Sequence, residues 1–84
     1  MRWTISILPP AAKQLANLDR SVGKRISAAI TALSENPRPP GSKKLVGADA
    51  HRIRVGDWRV IYQIRDEWLI VLVVRIGHRR EIYD

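Results

Sequence analysis

Eighty-four residues are enough for one domain, and the absence of cysteine excludes disulfide and thiolate chemistry. Fifteen Lys and Arg oppose eight Asp and Glu, a net charge of +7, and eleven of the fifteen are arginine. Arginine suits bidentate phosphate contacts and stacking, so this balance points to nucleic acid, an acidic protein, or both as partners.

Two histidines without paired Cys/His spacing argue against a structural zinc site, and no cofactor motif is present. The opening MRWTISILPPAAKQL has no apolar stretch of signal-peptide length. The longest apolar run, WLIVLVV, is far short of the roughly 20 residues that span a bilayer. The expectation is a single cytoplasmic domain over residues 1–84, with no membrane partner.

In chain order, RWTISIL reads as a first strand, and Pro9 and Pro10 end it while tolerating the first turn of a helix. Ala11, Ala12, Leu15 and Leu18 follow helical spacing. Asp19 or Ser21 can cap a second helix, whose apolar stripe is Val22, Ile26, Ala29, Ile30 and Leu33. ENPRPPGS ends it. The second half is strand: AHRIRV, a Gly56-Asp57 turn, WRVIYQI, a second turn, then WLIVLVVRI. The continuous apolar character of the last run predicts a central strand covered on both faces. A short further strand is expected at 79–83. The predicted architecture is α+β, ordered β-α-α-β-β-β with an optional closing strand: a small, antiparallel-dominated twisted sheet carrying a two-helix hairpin on one face.

Strand alternation sorts the side chains. Ile53 and Val55 share a face with His51; Trp58, Val60, Tyr62 and Ile64 share a face in the next strand. If the helices cover these, Arg52, Arg54 and Arg59 gather on the uncovered side. If Ile82 points into the core, Arg79 and Tyr83 join them. Clustered cations repel unless an anion compensates, which suggests a phosphate-binding surface; strand arginines covering a sheet with their stems are the plainer reading. Trp3, Trp58 and Trp68 read as core, although Trp3 or Trp68 at a sheet rim could meet a partner.

NPRPPGSKKLVG, HRIRVGDWRVIYQI and VVRIGHRREIYD, in that order, resemble the RelE/ParE superfamily of bacterial type II toxin–antitoxin toxins, and specifically its RelE branch. The resemblance runs from Ile5 to Tyr83. It implies an mRNA interferase that enters the ribosomal A site and cuts the bound codon without a metal, by attack of a ribose 2′-oxygen on the adjacent phosphorus. It implies an acidic antitoxin partner, with the ribosome and mRNA as targets, in a higher hetero-oligomeric complex with the antitoxin. The family's two basic strand residues, usually lysines, match Arg52 and Arg54. Its strand arginine matches Arg59, its C-terminal arginine Arg79, and its terminal tyrosine Tyr83, which would stack a base or donate a proton.

Arginine at 52 and 54 departs from the family pattern. Lysine can titrate as a base; arginine cannot. Catalysis would then rest on charge stabilisation and positioning, or on His78, which strand parity aims away from the arginines unless Gly77 bends the chain. Lys43, Lys44 and Arg80 are expected on the RNA backbone. Lys13, Arg20, Lys24 and Arg25 lie on helix surfaces and could add RNA contact. Two other readings stay open: a ParE-like gyrase inhibitor, and a catalytically silent homologue that binds its antitoxin as a co-repressor.

Overall fold

A computed structural model describes residues 2–82. Strand β1 (Thr4–Ile7) leads into helix α1 (Pro9–Ala16). Pro9 and Pro10 occupy first-turn positions, where a missing N–H costs nothing. Helix α2 (Arg20–Ala32) follows a short turn. Asp19 precedes it, and its carbonyl accepts the first helical bond from Gly23 N–H at 2.8 Å. Its carboxylate accepts from Ser21 Oγ at 2.8 Å and caps no backbone donor. Then come β2 (Lys43–Lys44), β3 (His51–Val55), β4 (Trp58–Arg65) and β5 (Ile70–His78). Gly56, at φ +61°, makes the tight turn between β3 and β4.

The five strands are ordered β1-β5-β4-β3-β2. β1 runs parallel to β5, and every other pair is antiparallel. Both helices pack on one face. There Ala11, Ile26, Ile30 and Leu33 meet Ile53, Val60, Tyr62, Ile64, Val71, Val73 and Ile76. The expected α+β architecture is therefore the one observed, with the two-helix layer on one side.

Two features of β5 organise the opposite face. Tyr62 pairs with Val73 while Ile61 pairs with Arg75, so Val74 is an extra, bulged residue. The bulge resets alternation: Val71 and Val73 before it, and Ile76 after it, all reach the helix-side core. Val74 itself packs in a second, smaller cluster with Ala50, Ile61, Ile82 and Leu45. The helix-side face of β5 is thus covered as its apolar run predicted, while its other face is covered only in part, with Arg75 exposed.

Two expectations are corrected. No strand forms over residues 79–82; Glu81 and Ile82 instead donate to His78 O, at 2.8 and 3.2 Å, in a single turn. The chain leaving β5 reverses at once, and Ile82 is buried beside Ala50 and Ile61 instead of running along an edge. The chain folds back over the face. The additional strand lies elsewhere, at the Lys43–Lys44 edge. Trp68 is not core: it is 71% exposed, in the turn joining β4 to β5 where the chain reverses direction. Trp3 and Trp58 do pack against the core.

Candidate functional site: a cationic sheet face

Register places the arginines. Arg54 pairs with Arg59 across the β3–β4 hairpin, Arg52 with Ile61, and Lys43 with Arg52. On the other side of β4, Ile61 pairs with Arg75 and Arg59 with Gly77. Directly paired residues share a face, so Lys43, Arg52, Arg54, Arg59 and Arg75 stand together opposite the helices. Parity along β3 and β4 had brought Arg52, Arg54 and Arg59 to that side.

The face is not the open surface that alternation alone implies. Arg52 and Arg59 are only 4% and 8% exposed. Arg52 Nη1 donates to Gly41 O at 3.4 Å, and Arg59 Nη1 donates to Gly56 O at 3.2 Å and Trp58 O at 3.1 Å. These carbonyls help to hold the guanidiniums in place. Arg54 is exposed. The apolar cluster around Ile61 and Ile82 forms the floor between them.

Arg79 arrives by a different route from the one parity suggested. Ile82 is buried, but in the second cluster on the arginine face, not in the helix-side core. Strand alternation does not extend into the turn that holds Arg79. Its backbone N–H instead donates to Asp57 O at 2.8 Å, and its Nε lies 3.7 Å from Asp57 Oδ1. This sets Arg79 at the hairpin tip, the same tip that Arg59 braces. From the helix side Arg25 reaches it too: its Nη2 lies 3.2 Å from where a Cβ on Gly56 would be.

The remaining candidates separate. His78 pairs with Trp58 and meets its ring edge-on, with centroids 5.4 Å apart, so it lies on the helix side. Lys44 pairs with His51, also facing away from the arginines. His51 stacks on Tyr62 at 5.8 Å, with Nδ1 buried and without a hydrogen-bond partner among the described residues. Its pKa is lowered, first by burial and then by the charges of Arg38 and Lys44. Arg80 is exposed on the C-terminal turn. Tyr83 lies outside the described residues. No three His, Asp or Glu side chains gather as metal ligands among the described residues.

Arg75 was missed by sequence reasoning. It sits inside an apolar run read as wholly covered, yet it is exposed and its Nη2 donates to Glu81 O at 3.4 Å. Counting back one position from a buried Ile76 would have found it.

This sequence and fold match known proteins along their length. A family model for the ParE toxin of the parDE type II toxin–antitoxin system matches residues 5–83. A protein of Escherichia coli described as RelE-like toxin is 30% identical over 88 aligned positions, covering 100% of this chain and 93% of its own. Among solved structures, the RelBE2 toxin–antitoxin complex from Mycobacterium tuberculosis matches with a TM-score of 0.85 at 26% identity, covering 94% of this chain and 93% of that one. The archaeal RelE–RelB complex from Pyrococcus horikoshii also matches with a TM-score of 0.85, at 25% identity, covering 98% of this chain and 100% of that one. The chain belongs to the RelE/ParE superfamily of type II toxin–antitoxin toxins. No helix is long and apolar enough to cross a membrane among the described residues.

Proposed function

We propose that this toxin is a ribosome-dependent mRNA interferase, acting in the cytoplasm and held in check by an acidic antitoxin. The observation that carries the reading is the convergence of Lys43, Arg52, Arg54, Arg59 and Arg75 on one sheet face, with Arg79 at its tip. In the proposed reaction a ribose 2′-oxygen bonds to the adjacent phosphorus, the bond to the 5′-oxygen breaks, and that oxygen leaves with a proton. The products are a cyclic phosphate and a 5′-hydroxyl. Negative charge builds on the non-bridging oxygens, and guanidiniums already held by backbone carbonyls stabilise it with little reorganisation.

Neither histidine shares the face with the arginines. Proton transfer therefore falls to water or to Tyr83, and the arginines contribute charge and substrate geometry. Antitoxin binding is supported by the +7 charge and by the relatives solved as RelB–RelE and RelBE2 complexes.

Primer extension on mRNA bound to programmed ribosomes tests the reading. Wild-type protein should produce new A-site ends, and Arg59→Ala or Arg79→Ala should slow cutting by about 10²- to 10³-fold. Normal cutting by both variants would refute the site. A second reading, gyrase inhibition, is favoured by the ParE description of the matching family model. Changed plasmid supercoiling with intact mRNA would select it.

A further inference from the structure

Gly77 faces Arg59 in the sheet register. A Cβ at this position would lie 2.7 Å from Ile82 Cδ1 and 2.9 Å from Ile82 Cγ1. Its φ is not in the left-handed region, so the backbone does not require glycine here; the space does. The missing side chain is a notch in the arginine face, and Ile82 fills it, 5% exposed against Ala50 and Ile61.

The segment between notch and plug contains Arg79. Its start is fixed by the Arg79 N–H bond to Asp57 O. Its end is fixed by the seated Ile82 and by Arg75 Nη2 on Glu81 O at 3.4 Å. The Arg79–Asp57 ion pair cannot supply that rigidity alone. Its atoms are 3.7 Å apart and both side chains are about 60% exposed, a setting in which ion pairs contribute little. A turn with so few backbone bonds needs something further to hold it. Here the tie is apolar, and it sits on the same face as the cations it serves.

We propose that Ile82, seated in the Gly77 notch, is a positioning residue that fixes Arg79 where it can stabilise the charge that builds on the RNA phosphate. The proposal rests on the nuclease reading above. Ile82 touches no substrate and acts through Arg79. The notch explains why a position among arginines is left bare, and the plug explains why the chain turns back over the face instead of extending.

The test uses Ile82→Ala, Ile82→Val and Gly77→Ala in the full chain, in the ribosome cleavage assay and by amide hydrogen exchange. Ile82→Ala and Gly77→Ala should lower kcat by about 10- to 100-fold with KM nearly unchanged, the scale expected of a small misplacement. Ile82→Val, which keeps most of the plug, should recover most of the rate. The Arg79 amide should exchange faster in the two impaired variants while the Val60 amide stays protected, which separates a released tail from a failed fold. In an Arg79→Ala background, Ile82→Ala should cost nothing further. Full kcat in Gly77→Ala, or additive losses with Arg79→Ala, would overturn the proposal. If the wild type cuts no RNA, the nuclease reading falls, and exchange still decides the clamp: unchanged Arg79 protection in Ile82→Ala refutes it, and lost protection supports it.

Discussion

Arg54 and Arg59 stand directly opposite each other across the β3–β4 hairpin. Two guanidiniums side by side offer a phosphate a pair of charged donors, as the proposed RNA contact requires. Salt should therefore act strongly on RNA binding. Measured on a short single-stranded RNA, Arg54→Gln or Lys43→Gln should each reduce the slope of log affinity against log salt by about 0.7. Lys13→Gln, on α1 away from this face, should leave the slope unchanged. Equal effects from all three would mean that no localised surface carries the binding.

His51 sets a pH dependence on the helix side of the sheet. Its folded-state pKa is lowered, by burial first, then by Arg38 and Lys44, with Asp49 and Asp66 opposing. The folded protein thus binds fewer protons than the unfolded chain below the ordinary imidazole pKa of about 6.5. Stability contributed by neutral His51 is complete above that value and declines as pH falls toward the lowered folded pKa. Melting temperature followed from pH 7.5 to 5 (a range spanning that window) should show this decline, and His51→Gln should flatten it. The carboxyls of Asp49 and Asp66 are held down by Arg65 and Arg38, so their contribution is lost only at lower pH, through the carboxylate range.

Tyr62 is fully buried, and its hydroxyl donates to Pro37 O at 2.8 Å. This bond ties the proline-rich segment after α2 to the middle of the sheet. Tyr62→Phe keeps the ring and leaves the carbonyl of Pro37, a buried residue, without this donor. The expected loss is about 1–2 kcal/mol in urea unfolding, with a fall of several degrees in Tm.

Gln14 offers a sharper case. β1 ends at Ile7, paired to Val73, so the N–H of Ile76 lies beyond its reach. Gln14 Oε1 accepts it at 2.8 Å from α1. Alanine is the better helix former, and on propensity alone Gln14→Ala should stabilise α1. The stranded strand donor outweighs that gain, and we expect a net loss of about 1 kcal/mol in urea unfolding. A stabilised variant would show that water replaces the amide at no cost.

Local signals in the chain carry much of this architecture. Paired prolines, a helical stripe from Val22 to Leu33 and strict alternation through β3 and β4 are each decided within a few residues, and they place Arg52, Arg54 and Arg59 correctly. What was not legible depends on partners distant in sequence. The Val74 bulge shows only once β4 is in register, and a continuous apolar run hides both it and Arg75. The missing strand at the C-terminus reflects the turn after His78, which buries Ile82 against Ala50 and Ile61. Alternation could place Ile82 only conditionally, because the residues after His78 form a turn that buries it in the second cluster. Trp68 was misread because hydrophobicity does not distinguish a strand from the turn that ends it.

The parallel pairing of β1 with β5 has a temporal consequence. Thr4 finds its partner only when Ile70 exists, and Ile7 waits for Val73. Such distant closure is intrinsically slow. During synthesis the first strand emerges well before its partner and stays unzipped until β5 has been made. The nascent chain therefore cannot complete its sheet until the last strand has been translated.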